Sequence, residues 1–286
     1  MTANLSLIRL FTLITFLLIS AFVWFGSTST TGTNLLTVSF LDVGQGDAIH
    51  IVTPDGYEVL IDGGATSAVL RELANGRSFF DREIDLVIAT HPDADHVGGL
   101  VDVLERYQVA NVLTTNVNHD TPAAGAFEEA VLAESGAVIV FAEAGQEILL
   151  GASTTMTILS PRGDTSNWQS NNASIIAKLS YGEIDFMLTG DAPSGIEDYL
   201  VSVYGEFLES EVLKLGHHGS KTSTSELFLR AVSPEVTVVS AGKDNRYGHP
   251  SSAVVERVSE YGAGIVSTAE GGTIRFVTDG KEFCIE

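Results

Sequence analysis

The chain has 286 residues, a formal net charge of −22, and 44% hydrophobic against 18% charged residues. That balance excludes a disordered chain and fits a well-cored protein of one large domain or two small ones. The acidic surplus argues against tight non-specific binding to polyphosphate backbones, which a like-charged surface repels over a Debye length of about 8 Å; the single cysteine, Cys284, excludes an intrachain disulfide and a thiolate-held structural zinc.

In chain order, the first element is apolar. No charged residue occurs from Leu10 to Phe25, and Leu7 and Ile8 extend the run past Arg9. The stretch approaches the ~20 residues of a membrane-spanning helix and exceeds the roughly 7–15 of a secretory signal core. Residues 1–26 are therefore read as a cleaved signal peptide or a retained membrane anchor, and residues 27–34 as a linker. Arg9 precedes the run, and no Lys or Arg follows until Arg71. The positive-inside bias then predicts a cytoplasmic N-terminus and an extracytoplasmic remainder, membrane-anchored or secreted.

Beyond the linker, Leu36–Leu41 predicts a strand, and Ala48–Val52 with Glu58–Ile61 a hairpin about Thr53-Pro54-Asp55-Gly56. Ser67–Asn75 reads as a helix stopped by Gly76. Leu86–Ala89 is a strand and Gly99–Tyr107 the helix after it. Val112–Thr114 (strand) and Pro122–Ser135 (helix) follow, then strands at Ala137–Phe141, Glu147–Leu150, Met156–Leu159, Ser174–Ser180 and Ile184–Leu188. The second half alternates: helix Ile196–Tyr204, strand Glu211–Leu215, helix Ser223–Val232, strand Val236–Ser240, helix Ala253–Tyr261, and strands Gly264–Ser267 and Thr273–Val277. Mixed strands with helices in both halves predict an α/β fold, a four-layer αββα sandwich preceded by one N-terminal hydrophobic helix. The Ser, Asn and Gly-rich stretch Ser160–Asn172 is a candidate substrate loop or lid.

The chemistry is concentrated where strands run out. After Leu86–Ala89 comes Thr90-His91-Pro92-Asp93-Ala94-Asp95-His96-Val97-Gly98-Gly99. His91 and Asp93 can face one ion and Asp95 and His96 a second, a carboxylate and imidazole set that suits Zn, Mn or Fe. Three later strands end similarly, in Gly190-Asp191, in Gly216-His217-His218-Gly219-Ser220, and in Asn245-Arg246-Tyr247-Gly248-His249-Pro250. Strand ends gather at one edge of an α/β sheet. There the two oxygens of Asp191 can span the ~3.5–4 Å of a two-metal centre. His50, in mid-strand, reads as structural; His119, between Asn118 and Asp120, reads as surface. Asp42, Asp47 and Asp62 read as residues that hold loops.

These fragments, in this order, resemble the metallo-β-lactamase fold superfamily, with its H-x-H-x-D-H signature, Gly-Asp bridge and late histidine. More narrowly, Phe40–Ala48, Ile61–Gly64, Leu188–Asp191, Leu213–Ser220 and Tyr247–Pro250 resemble the C-terminal hydrolase domain of ComEC-type competence proteins. The resemblance implies that residues 35–286 form a hydrolase domain holding two divalent ions, Zn or Mn, and cleaving a phosphodiester or nucleic acid with a metal-bridged hydroxide. It assigns metal binding to His91, Asp93, Asp95, His96, Asp191 and His218 or His217, and catalysis to Asp95 and His249. Substrate binding falls to Asn172, Ser220, Lys221, Tyr247 and His249. Two departures qualify it. With at most one membrane helix, no transport pore is encoded, so DNA uptake is not carried over. Asp93 stands where the second histidine is usual, and Asn172 near where a third is expected. A single-metal enzyme, a lactone or lactam hydrolase, and a non-catalytic binding domain with a reduced first site stay open. The membrane is met through the N-terminal helix, and no obligate protein partner is deducible.

Overall fold

Among the described residues, fifteen strands form two sheets that enclose one apolar layer. In the computed structural model, residues 34–75 and 81–286 are described, together with Thr15. The hydrophobic helix expected over residues 1–26, nearly all of the linker and the Gly76 stop lie outside the described residues. Among the described residues no helix is long and apolar enough to cross a membrane.

The first sheet draws on β1 (Leu36–Phe40), β2 (Ile49–Val52), β3 (Glu58–Ile61), β4 (Glu83–Ile88), β5 (Gln108–Thr114) and β6 (Val138–Phe141). The second takes β7 (Glu147–Leu149), β8 (Thr154–Ser160), β9 (Ile176–Tyr181), β10 (Ile184–Leu188), β11 (Val212–Lys214), β12 (Val236–Val239) and β13 (Gly264–Ser267). The chain then returns to the first sheet as β14 (Ile274–Thr278) and β15 (Phe283–Ile285). Spatial order is β15-β14-β1-β2-β3-β4-β5-β6 in one and β13-β12-β11-β10-β9-β8-β7 in the other. Leu36, Val38 and Phe40 of β1, Ile49 and Ile51 of β2, and Phe186 of β10 meet between the sheets. The Phe276 ring stands edge-on to Phe40 and to Phe186, each centroid 5.8 Å away, so one side chain ties both sheets.

Helices cover the outer faces, as the αββα pattern requires: α1 (Ala68–Ala74), α2 (Ala94–Arg106) and α3 (Pro122–Ala133) lie in the first half of the chain. Val97, Leu100, Val103 and Leu104 form the apolar stripe of α2 and pack on the outer face of the first sheet. On the second sheet, α4 (Ser194–Tyr204), α5 (Glu226–Val232) and α6 (Ser252–Tyr261) bury Leu200, Phe228, Leu229, Val254 and Val258. A short α7 (Thr268–Gly271) and β15 were not expected; each is too brief to carry a periodic signal.

One boundary differs in a way that matters. The helix expected from Gly99 begins at Ala94, with Asp93 extended (φ −69°, ψ 146°) as the residue before it. Asp95 and His96 therefore sit in the first turn of a helix, not in a loop. Glycine permits this: a Cβ on Gly99 would overlap the carbonyl oxygens of Gly63 and Thr66, so α2 can lie against the Asp62-Gly63-Gly64 turn only without a side chain there. Gly63 N donates to His96 O (2.7 Å) and Gly99 N to Gly64 O (2.9 Å), locking helix to turn.

Parallel pairing of β3, β4 and β5 in one sheet, and of β10 to β13 in the other, points their carboxyl ends the same way within each. At this edge the sheets are stitched where Ile175 N, entering β9, donates to Thr90 O, just beyond β4 (2.9 Å), and within the second sheet His217 N donates to Gly190 O (3.1 Å).

Candidate metal centre

The edge so formed brings together imidazoles from three elements. His91 follows β4, His96 is in the first turn of α2, and His217 and His218 follow β11. All aim Nε2 at one oxygen. Asp191 Oδ2 lies 3.3 Å from His96 Nε2, 3.4 Å from His218 Nε2, 3.8 Å from His217 Nε2 and 3.9 Å from His91 Nε2. His91, His96, His218 and Asp191 are buried, while the His217 side chain is 30% exposed. The chain takes αL backbone to do this, with φ of 49° at His217 and 56° at His218. For a residue with a Cβ that conformation costs about 1–2 kcal/mol each.

The tautomers follow from the opposite ring nitrogens. His96 Nδ1 donates to Asp62 Oδ2 (2.8 Å), which also accepts from Thr90 Oγ1 (2.7 Å), while Thr90 N donates to Asp62 Oδ1 (2.8 Å). Because the Thr90 hydroxyl proton goes to Asp62, its oxygen accepts from His91 Nδ1 (3.0 Å). His218 Nδ1 donates to Ser240 O at the end of β12 (2.9 Å) and lies 3.3 Å from Asp47 Oδ1. His91, His96 and His218 thus carry their fixed proton on Nδ1 and turn Nε2 inward. His91 Nε2, His96 Nε2, His218 Nε2 and Asp191 Oδ1 are buried without a hydrogen-bond partner.

Buried imidazole nitrogens and a carboxylate oxygen left unpaired and convergent are the donor set of a transition-metal site. Two groups have ligand atoms within 4.8 Å of one another and fit such ions: His91, His96 and Asp191, and Asp95, His96 and His218. Asp95 Oδ2 is 3.5 Å from His218 Nε2. Asp93 is placed differently from Asp95. Its Oδ2 is 3.7 Å from His91 Nε2, but it joins neither compact group and its side chain is 31% exposed.

Electrostatics separate the rings. Burial drives the His91 pKa down to about 3, assisted by repulsion from His96. Burial also opposes charge on His96 and His218, but the Asp191 carboxylate outweighs it, aided by Asp62 for His96 and Asp47 for His218. His96 is raised well above its ordinary value and His218 to about 9. Burial likewise opposes ionisation of Asp191, but His96 and His218 hold it well below the usual carboxylate range. Asp95 is held low in the same way, against burial, by the close approach of His218 and the charge of His96.

Around this centre the remaining expected residues fall unevenly. His249 lies at the rim with ring centroids 5.5 Å from His217 and 6.2 Å from His218. Its backbone is clasped by Asn245, which accepts from His249 N (2.9 Å) and donates to His249 O (2.6 Å). Burial and the neighbouring His217 lower its pKa. Tyr247, largely exposed, stacks on His249 (5.8 Å, 21°), and Arg246 lies over Tyr247 (4.9 Å). Lys221 is exposed; Ser220 is buried, its hydroxyl 3.0 Å from Thr222 Oγ1. The amide that meets the cluster belongs to Asn171, whose Nδ2 is 3.5 Å from His217 Nδ1, rather than to Asn172.

Four side chains have roles that the sequence does not show. Lys214 is fully buried, 2.5 Å from Asp47 Oδ2, and donates to Gly190 O (3.0 Å) and Leu215 O (3.2 Å). Asp47 is therefore an ion-pair partner beneath the centre, more than a loop anchor. His119, read as surface, lies with Nε2 3.3 Å from Asp93 Oδ1, and Ser170 Oγ donates to the same oxygen (2.6 Å). A lysine inside the apolar run Val212-Leu213-Lys214-Leu215 was a visible signal; His119 offered none, because its loop meets Asp93 only in three dimensions. His50 does pair within its sheet, with Glu58 Oε2 (3.0 Å).

Comparison with known proteins agrees with this geometry. The model of the metallo-beta-lactamase superfamily matches residues 41–243. ComE operon protein 3 of Bacillus subtilis is 30% identical over 259 residues, covering 84% of this chain and 32% of that protein. Recombination protein 2 of Haemophilus influenzae is 32% identical over 243 residues, covering 83% of this chain and 28% of that protein. The chain thus spans about a third of the length of these curated relatives. Among solved structures, the metallo hydrolase Igni18 of Ignicoccus hospitalis superposes with a TM-score of 0.55 at 18% identity, covering 84% of this chain and 98% of that one, a likeness of fold.

Proposed function

Because the chain belongs to the metallo-β-lactamase superfamily, we propose that it is a metal-dependent hydrolase acting on a phosphodiester, a nucleic-acid strand being the favoured substrate. The observation that carries the reading is the set of three buried, unpartnered Nε2 atoms turned toward Asp191. Divalent ions held there, Zn or Mn, would supply Lewis-acid charge and make water acidic enough to ionise near neutral pH. The chain's residues do the rest. His91, His96, His218, Asp95 and Asp191 would hold the ions, with Asp62, Thr90 and the Ser240 carbonyl fixing which ring nitrogen faces inward.

Asp95, held in its ionised form, serves better to orient the attacking water than to take its proton. His249, kept neutral by its lowered pKa, hydrogen-bonds the substrate at the leaving oxygen. Tyr247, Arg246 and Lys221 receive the strand at the rim, where Arg246 and Lys221 offer positive charge on an otherwise acidic protein. A relative named for recombination favours nucleic acid over a lactone or lactam. A second reading, a hydrolase working with a single ion, rests on the position of Asp93 outside both compact groups. The apolar run Leu10–Phe25, with no Lys or Arg from there to Arg71, supports an extracytoplasmic site of action, which fusion of a periplasm-active reporter to the C-terminus tests.

The functional test uses the full chain with Mn or Zn, against bis(4-nitrophenyl) phosphate and a single-stranded oligonucleotide, with Asp191→Ala beside it. Metal-dependent turnover of both, lost in the variant, is expected. Turnover of a lactone or lactam with neither phosphodiester cleaved would replace the reading.

A further inference from the structure

Asp93 is the least settled carboxylate of the centre, yet the structure surrounds it with unusual care. Its Oδ1 meets two groups from two different loops: Ser170 Oγ donates to it at 2.6 Å, and His119 Nε2 stands 3.3 Å away. Its other oxygen, Oδ2, is left 3.7 Å from the unpartnered His91 Nε2. A carboxylate that can rotate freely presents either oxygen; one gripped at Oδ1 presents Oδ2 alone.

The two gripping loops are themselves joined. Asn116 Oδ1 accepts from Thr165 N (3.1 Å) and from the Thr165 hydroxyl, Asn116 Nδ2 donates to Asp164 Oδ1 (2.9 Å), and Asn118 N donates to Ser166 O (3.2 Å). Thr165 is buried in this seam. On the far side of His119, Thr121 N donates to His119 O (3.1 Å) and Thr121 caps α3 by accepting from Ala124 N (3.3 Å). His119 is therefore built into a wall; a solvated loop histidine would not need these anchors.

We propose that His119 and Ser170 are positioning residues for Asp93, holding Oδ2 toward His91 and so setting the affinity of the outer of two metal positions. The proposal rests on the metal-centre reading above, and it assigns a task to the loop 160–172 and to a histidine outside the metal motif. Neither residue would touch the ion: each acts through the oxygen that Asp93 does not offer. Partners of this kind, behind a metal ligand, typically change metal affinity by about 10–100-fold when removed.

The test titrates the metal-free full chain with Mn²⁺ alone, by calorimetry with elemental analysis of the loaded protein, for wild type, His119→Ala, Ser170→Ala and His119→Gln. Thermal melts confirm that each variant is folded, and Ser170→Ala removes only one hydroxyl. Expected are two equivalents in the wild type, and about 10–100-fold weaker binding of one equivalent alone in both alanine variants. His119→Gln, whose amide can donate to Oδ1, should recover most of it. Wild-type binding of both equivalents in His119→Ala and Ser170→Ala overturns the proposal, as does a glutamine variant no better than alanine. One equivalent in the wild type also overturns it but leaves a single-ion hydrolase standing; no bound metal at all removes the functional reading itself.

Discussion

Substituting Asp62 by Asn changes almost no volume and yet should disable the metal centre. Asp62 accepts three hydrogen bonds: Thr90 N on Oδ1 (2.8 Å), and Thr90 Oγ1 (2.7 Å) and His96 Nδ1 (2.8 Å) on Oδ2. An asparagine can keep the backbone bond only by turning its NH₂ toward the other two groups. Thr90 can rotate its hydroxyl and accept. His96 Nδ1 must then accept as well, so its proton moves to Nε2, the atom 3.3 Å from Asp191 Oδ2. An Nε2–H cannot ligate. Exchanging charge-assisted bonds for neutral ones costs about 1.5–3 kcal/mol of stability, so the protein remains folded, while metal affinity falls by about 10–100-fold or more. Calorimetric Mn²⁺ titration of Asp62→Asn measures the loss, and ¹⁵N chemical shifts of the histidine rings report the tautomer directly. Undiminished affinity, or a His96 that keeps its proton on Nδ1 in the variant, would refute the tautomer argument.

Three further outcomes are expected. His218, raised to about 9, carries an extra proton in the metal-free protein at neutral pH, and His96 is shifted the same way; Mn²⁺ uptake at about pH 7.5 should expel about one proton from His218 and a further share from His96, and affinity should climb with pH toward 9. Calorimetry in buffers of different ionisation enthalpy counts them, and a count near zero contradicts the assignment. Burial pushes Glu197 up to about 7, against the backbone hydrogen bonds it accepts from Ser225 and Thr224; with the folded pKa raised, its contribution to stability is complete below the ordinary value of 4.5 and is lost as pH rises through 7. Urea midpoints at pH 5 and pH 8 should reveal about 2.5 kcal/mol of dependence that Glu197→Gln lacks. Finally, with a net charge of −22, kcat/KM on a long single strand should rise as salt goes from about 0.01 to 0.1 M and the Debye length shrinks from about 30 to about 10 Å; the steep fall usual for phosphate-gripping surfaces would count against substrate entry through an acidic surround.

Much of this architecture was legible because its signals are local. Buried parallel strands read as apolar runs, and each ligand-type cluster follows one, so strand ends and chemistry were found together. What escaped was decided by tertiary packing. The start of α2 at Ala94 depends on Gly99 lying against Gly63 and Thr66, a contact that spacing within the motif does not encode. His119 looked like a surface residue because its partner Asp93 is 26 positions away in sequence and reaches it only through the loop at 164–170. Asn171 and Asn172 are indistinguishable in the sequence, and the single turn Ser170–Ala173 decides which amide meets His217.

The buried lysine settles which groups of donors are free for a cation. Beyond the two compact groups already considered, Asp47 joins Asp62 and His96 in one set and Asp191 and His218 in another. Both lie deep, and on distance alone either could hold an ion. But Lys214 Nζ is 2.5 Å from Asp47 Oδ2 and fully buried, and its charge, with that of His218, holds Asp47 ionised against its burial. A metal at Asp47 would sit beside the Lys214 ammonium in a medium of low effective dielectric, where like charges a few ångströms apart repel by several kcal/mol. Removing the lysine would leave a buried carboxylate uncompensated, at a cost of about 3–5 kcal/mol. Lys214 therefore acts as a fixed cation for Asp47, and the exchangeable cations are left to Asp191, Asp95, the three inward-facing imidazoles and, at the outer position, Asp93.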